Sequence, residues 1–171
     1  MEEDIIEKAS GPTPWVSPIV IVPKSHNKEE IRICVDMRAA NTAIKRTRHV
    51  TPTTDDIIAE LNGAAVFSKI DLKNGYHQIV LSEQSRTITT FATHMGLFRY
   101  KRLSFGINTA AEIFQDTIRQ TLQGIPQVIN ISDDILIYGK TPEEHNANLL
   151  RVLDVLKNQQ LTINLSRKIN S

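Results

Sequence analysis

Apolar positions along the chain change their spacing several times, and each change predicts an element. Ile19-Val20-Ile21-Val22 and Ile31-Arg32-Ile33-Cys34-Val35 are short β-branched runs separated by the polar stretch Ser25-His26-Asn27-Lys28-Glu29-Glu30, which predicts an antiparallel hairpin. Thr53-Thr54-Asp55-Asp56, then Ile57, Ile58 and Leu61 with Gly63 closing, has the cap, early acids and terminal glycine of a short helix. Ala65 to Ile70 reads as a strand ending at Asp71, and Ile88 to Thr93 and Leu97 to Tyr100 as strands around Gly96. Ala110, Ile113, Phe114, Thr117, Ile118 and Leu122 fall at helical spacing before Gly124, as do Leu149, Val152, Leu153 and Leu156 after Thr141-Pro142-Glu143-Glu144. Between these helices, Val128 to Ile131 and Ile135 to Tyr138 are two short strands separated by Ser132-Asp133-Asp134. The order of elements predicts an α+β fold. The first 18 residues, rich in Pro, Ser and Thr, read as an arm.

Composition narrows the function classes. With 171 residues, 40% hydrophobic and 23% charged, the chain is globular and neither disordered nor fibrous. No apolar run approaches the roughly 20 residues of a membrane span, and the acidic opening Met1-Glu2-Glu3-Asp4 carries no basic targeting signal. The expectation is an intracellular protein without a membrane partner, in cytoplasm or nucleus. A single cysteine, Cys34, excludes an internal disulfide, and the five scattered histidines give no zinc pattern. The net charge of +1 does not select a partner, but two basic clusters do suggest phosphates: Lys45, Arg46, Arg48 and His49, and Arg99, Lys101 and Arg102 interleaved with Phe98 and Tyr100. Taken alone, each cluster reads as a solvated face ahead of a phosphate-binding one.

The chemistry lies in carboxylates. Asp133 and Asp134 interrupt an apolar β segment, and Asp71 ends another. An Asp-Asp hairpin tip alone is more often a turn former than a catalyst. If the two strands are neighbours, however, three carboxylates converge, and their mutual repulsion calls for a divalent cation. Oxygen ligands of this kind suit magnesium or manganese, which take further ligands from phosphates; two such ions form a phosphoryl-transfer site. Gly139-Lys140-Thr141 is not a P-loop, because Asp134 stands where the first glycine belongs.

Several ordered blocks carry a family resemblance: Arg32-Ile33-Cys34-Val35-Asp36-Met37-Arg38-Ala39-Ala40-Asn41, Ile70-Asp71-Leu72-Lys73-Asn74-Gly75-Tyr76-His77-Gln78-Ile79, Leu103-Ser104-Phe105-Gly106-Ile107, Phe114-Gln115 and Asp133-Asp134-Ile135-Leu136. In this order they resemble the reverse transcriptase of gypsy-class long-terminal-repeat retrotransposon Pol polyproteins. The likeness runs from about Pro14 to Asn164. It implies one reverse transcriptase domain comprising an arm (1–18), a fingers-like part (19–62, with 84–104 also assignable to it) and a palm-like part (63–171). The implied architecture is a right-hand polymerase palm, an antiparallel sheet packed on helices, with a fingers hairpin and no thumb.

The resemblance also implies roles. Asp71, Asp133 and Asp134 are the catalytic, metal-binding triad, with Leu72 offering a backbone carbonyl to the first of two Mg2+ or Mn2+ ions. Arg32 holds the incoming triphosphate, with Lys24 or Lys28 assisting; Tyr76 stacks under the nucleotide sugar and excludes a 2′-hydroxyl; Phe105 and Gly106 line the nucleotide pocket. The implied partners are an RNA or DNA template with primer, a deoxynucleoside triphosphate, and the missing thumb and ribonuclease H regions or another polymerase subunit. Departures from the family pattern are Ile131, where a tyrosine usually precedes the paired aspartates, and Ser104 and Ala111, where proline is usual.

Three functions follow in order: RNA-directed DNA polymerase; a truncated, catalytically idle remnant that at most binds nucleic acid through its two basic clusters; and a metal-dependent phosphotransferase or cyclase built on a similar sheet.

Overall fold

A computed structural model describes residues 4–23, 31–46, 53–131 and 134–164. In chain order its strands are β1 (Ile6–Lys8), β2 (Ile19–Pro23), β3 (Ile31–Val35), β4 (Val66–Asp71), β5 (Phe91–Thr93), β6 (Gly96–Tyr100), β7 (Val128–Ile131) and β8 (Asp134–Gly139). Its helices are α1 (Arg38–Ala43), α2 (Thr54–Glu60), α3 (Glu83–Arg86), α4 (Ala110–Thr121) and α5 (Pro142–Asn158), with 3-10 turns at Gly75–Gln78 and Thr87–Thr89. Contacts gather these elements into two discontinuous units, Met1–Thr47 with Tyr76–Ala110, and Arg48–Gly75 with Ala111–Ser171. Each compact unit takes two separate segments of the chain.

The first unit is built from two small antiparallel sheets. β2 and β3 pair as expected, from Ile19 opposite Val35 to Pro23 opposite Ile31. At the base of this hairpin Val35, Met37, Ala40 and Phe91 are buried, with Trp15, Ile19, Ile88, Phe98 and Tyr100 packed around them. The other sheet has the order β1-β6-β5. Here the structure corrects two expectations. The opening segment, read as an arm without an element, contains a strand: β1 pairs with β6, and Ser17 donates its N–H to the Thr90 carbonyl (2.8 Å) and accepts from Ala92 (3.1 Å). Proline and glycine punctuate that segment, but the ladder is anchored by charge, since Glu7 meets Arg99 (2.7 Å) and Arg86 (3.3 Å).

The second correction concerns the strand expected over Ile88 to Thr93. Only Phe91–Thr93 is extended, because threonine hydroxyls bond back to carbonyls, Thr89 to Arg86 (2.6 Å) and Thr90 to Thr87 (2.7 Å), and hold the preceding turn coiled. The short helix α1, which the apolar pattern does not signal, buries only Ala40. Asp36 starts it by accepting the Arg38 N–H (3.1 Å) while gripping its guanidinium (2.7 Å), and this charged contact lowers the Asp36 carboxyl to about 2.

The second unit is a three-stranded antiparallel sheet, β4-β8-β7, covered by helices. Side chains alternate along each strand, and both faces contribute buried residues, Ile129 and Tyr138 on the face that carries Asp71 and Asp134. Ile70, Ile135, Ile137 and Ser68 lie on the other face and are buried. α5 packs on β8 and β4, burying Val152 and Leu156. Asn130 of β7 donates to the Gln115 carbonyl of α4 (3.3 Å), a helix that buries Phe114 and Ile118. Thr141 caps α5, with Pro142 in its first turn as the sequence indicates. Gly139, at the end of β8, is required by proximity, because a Cβ there would come within 2.7 Å of the His145 nitrogen. α2 begins with a reciprocal cap between Thr53 and Asp56. Among the described residues no helix is long and apolar enough to cross a membrane.

Candidate active site

Strand register brings two of the three expected carboxylates together. β4 ends at Asp71, directly opposite Asp134, and Asp134 is also opposite Ile131 of β7. Asp134 is thus the first residue of β8, while Asp133 lies outside the described residues. Cross-strand partners share a face, so Asp71, Asp134 and Ile131 form a row on the face opposite Ile70 and Ile135. Ile131 remains 40% exposed there.

The hydrogen bonds beyond β4 refine this geometry. Asn164 donates its backbone N–H to the Asp71 carbonyl (2.8 Å), and Lys73 donates to Thr162 (2.8 Å). These two bonds flank the Leu72–Ile163 pair. Asp71 therefore turns its backbone groups away from β8, which makes Asp71–Asp134 a pair without ladder hydrogen bonds. Such pairs bring the chains to about 4.5 Å between Cα atoms and their side chains closest together. Leu72, by alternation, turns its carbonyl to the β8 side while its side chain is buried. Two side chains hold the carboxylates: the Asn164 amide donates to Asp71 Oδ2 (3.2 Å), and the Lys69 ammonium lies 2.6 Å from Asp134 Oδ2.

Among the described residues no three His, Cys, Asp or Glu side chains form a metal-ligand group. The donors present nonetheless fit a hard divalent cation in kind: two carboxylates from adjacent strands on one face and the Leu72 carbonyl at their edge, all oxygens.

The other expected site residues belong to the first unit. Tyr76 and Phe105 are in ring contact, with centroids 4.8 Å apart. His77 sets its ring edge-on to Phe105 (5.2 Å) and stacks over Tyr100 (6.2 Å). In spite of these contacts Phe105 is 58% exposed, so this aromatic group presents a ring to the outside. Gly106 follows with φ +101°, a conformation that disfavours any side chain, and a Cβ there would lie 3.5 Å from Met37 Cγ and the Val35 carbonyl. Asn41 of α1 clamps this loop, donating to the Gly106 carbonyl (2.8 Å) and accepting from the Asn108 N–H (2.9 Å). Arg32 occupies the β3 position opposite Val22, one pair in from Pro23–Ile31. Lys24 and Lys28 lie outside the described residues.

Sequence reasoning missed Lys69, Asn164 and Asn41. Asn41 and Lys69 stood inside quoted segments, and Asn164 ended the likeness, but nothing in their spacing distinguished a hydrogen-bonding residue from a solvated one. The basic clusters need a correction. Arg99 is paired with Glu7, Lys101 with Asp4, and Arg102 donates to the carbonyls of Gln78 (3.3 Å) and Asp4 (3.5 Å). The Lys101 contact and neighbouring cations hold the Asp4 carboxyl below its ordinary range. Burial raises Glu7, but Arg99 and Arg86 more than offset it and hold that carboxyl low as well. The acids of the opening segment thus neutralise a patch that the sequence offered for phosphates. Of the other cluster, Arg48 and His49 lie outside the described residues.

Comparison with known proteins adds a separate line. Residues 22–169 match the family model described as reverse transcriptase (RNA-dependent DNA polymerase). An uncharacterized Caenorhabditis elegans protein is 35% identical over 145 residues, covering 84% of this chain and 11% of its own length. The retrovirus-related Pol polyprotein from transposon 412 of Drosophila melanogaster is 33% identical over 153 residues (86% and 12%). The Tf2-3 transposon polyprotein of Schizosaccharomyces pombe is 32% identical over 152 residues (88% and 11%). Among solved structures, the prototype foamy virus protease-reverse transcriptase superposes with a TM-score of 0.77 at 23% identity, covering 92% of this chain and 21% of its own. The foamy viral enzyme in complex with an RNA/DNA hybrid gives the same score at 23% identity (95% and 21%). The chain spans about a tenth of the length of the curated relatives it matches.

Proposed function

The chain belongs to the reverse transcriptase family, and we propose that it carries the nucleotidyl-transfer site of an RNA-directed DNA polymerase. The observation that carries this reading is the cross-strand pair Asp71–Asp134 within a chain whose family match spans both strands. In the reaction the 3′-hydroxyl of a primer on an RNA or DNA template attacks the α-phosphate of a deoxynucleoside triphosphate, and pyrophosphate leaves. Asp71, Asp134 and Asp133, with the Leu72 carbonyl, would hold two divalent ions, magnesium or manganese. When bound, these supply Lewis-acid stabilisation of the attacking and leaving oxygens. Register fixes the spacing of the two described carboxylates, and the Asn164 amide bonded to Asp71 Oδ2 limits that carboxylate's rotation.

The first unit supplies nucleotide contacts. Tyr76 supports the sugar and disfavours a 2′-hydroxyl, Phe105 and Gly106 line the pocket, and Arg32 with Lys24 meets the triphosphate. The foamy viral relatives solved with double-stranded DNA and with an RNA/DNA hybrid support a primed template as the macromolecular partner. The competing reading of an idle, nucleic-acid-binding remnant invoked two basic clusters; in one, Arg99 and Lys101 are met by Glu7 and Asp4 and Arg102 is directed to carbonyls, and the other, Lys45, Arg46 and Arg48, runs into residues outside the described ones.

Primer extension on a primed RNA template at low salt tests the proposal. Wild type is expected to add at least one nucleotide with magnesium or manganese, and Asp71→Asn with Asp134→Asn to add none. Folded wild-type protein that adds nothing, or a double variant that extends as well as wild type, sinks it.

A further inference from the structure

We propose that Lys69 is the resident counter-cation of the carboxylate pair, occupying Asp134 when no metal is present and yielding it to a divalent ion. This rests on the reading of Asp71 and Asp134 as metal ligands.

Lys69 precedes Asp71 by two positions on β4, so it stands on the same face of the sheet. Its register partner is Leu136, and an outward lysine at such a place is ordinarily solvated. Here it instead reaches diagonally along the sheet to Asp134 Oδ2 at 2.6 Å, with 57% of the lysine side chain and 36% of the aspartate side chain exposed. Two like charges opposite each other in a strand pair repel, and an ammonium on one of them relieves that repulsion. The same ammonium occupies an oxygen that a dication would use and adds positive charge beside it. A lysine is suited to yield, being a point charge on a flexible stem in a half-exposed pair of small net energy. Asn164 acts differently, because a neutral amide on Asp71 brings no charge to oppose a cation.

The consequence has an unusual sign: removing a residue from the site should tighten metal binding. Mn2+ affinity is measured by titration calorimetry on the folded full chain, for wild type, Lys69→Gln, Lys69→Arg, and Asp71→Asn with Asp134→Asn. The expected result is an approximately two- to fivefold lower Kd for Lys69→Gln, the scale set by a half-exposed ion pair, with Lys69→Arg binding no more tightly than wild type. A thermal-melt series gives a second readout: without metal Lys69→Gln melts below wild type, and saturating Mn2+ raises its Tm by more than it raises that of wild type. If Lys69→Gln binds Mn2+ equally or more weakly while the double aspartate variant has lost binding, the Lys69 inference is overturned and the metal reading stands. If the double aspartate variant binds as tightly as wild type, the metal reading falls and takes this inference with it.

Discussion

The two units support their candidate site residues by different means. In the second unit Asp71 and Asp134 are placed by the ladder itself: six register pairs run from Val66–Gly139 to Asp71–Asp134, and the reverse face is locked by residues such as Ile135 and Ile137 at 0% exposure. In the first unit Tyr76, Phe105 and Gly106 sit on a 3-10 turn and a loop. There, Asn41 hydrogen-bonds the Gly106 loop and ring contacts join Tyr76 and His77 to Phe105, while elsewhere in the unit ion pairs from Glu7 tie β1 to its surroundings. Its hairpin leaves Val20, Ile21, Val22 and Ile31 exposed. On the proposed function, a bond-forming site needs fixed distances, which register supplies, whereas nucleotide contacts tolerate support that is adjustable. Perturbing each kind of support should therefore have effects of different size.

The largest effect belongs to the sheet. Ile137→Ala should cost about 2–5 kcal/mol, the usual range for truncating a fully buried aliphatic. Ile21→Ala on the exposed hairpin should stay within about 0.5 kcal/mol. Urea denaturation measures both, and equal losses would erase the contrast. Next comes Gly106→Ala, which forces a side chain into φ +101° against Met37 and should cost about 1–2 kcal/mol, read by the same assay. Asn41→Ala removes the clamp on the loop and should cost about 1 kcal/mol. Its more specific sign is faster hydrogen exchange at the Asn108 amide, with the amides of β4 and β8 unchanged.

Acid gives the smallest and most gradual effect. The Glu7 carboxyl is held below its ordinary value of 4.5, so its contribution is present above that pH and is lost as pH falls through the depressed folded value. Asp36, held at about 2 against 3.8, behaves in the same way down to about pH 2. Chemical shifts of the β1 and β6 amides should thus move as pH falls below the ordinary glutamate value, and Glu7→Gln should abolish the Glu7 part of that titration.

Much of this was legible because strands and long helices announce themselves by apolar period. The β2–β3 hairpin, β4 and the helices α4 and α5 follow directly from runs such as Ile19 to Val22 and from the Thr141-Pro142 start. The α+β class and the family likewise stood in the sequence. Elements too short or too polar for a period did not: α1 buries only Ala40, and β1 is a three-residue strand fixed by ion pairs to residues some 80 to 90 positions away. The carboxylates were visible as types, but the pairing of Asp71 with Asp134 needed register. Lys69 and Asn164 became site residues only once the strand and the segment after α5 were brought together. Neutralisation of Arg99 and Lys101 was hidden for the same reason, because charge balance between distant segments leaves no local trace.

The proposal tested most directly is that Asp71 and Asp134 serve the chemical step and that Tyr76 serves nucleotide binding. Single-nucleotide incorporation measured against nucleotide concentration separates the two. Asp134→Asn should lose kcat by about a thousandfold or more, the scale of several kcal/mol of lost charge stabilisation. Tyr76→Ala should instead raise the nucleotide KM about tenfold while leaving kcat within a few fold of wild type. Asp134→Asn with a wild-type kcat, or Tyr76→Ala with an unchanged KM and a collapsed kcat, would contradict the account.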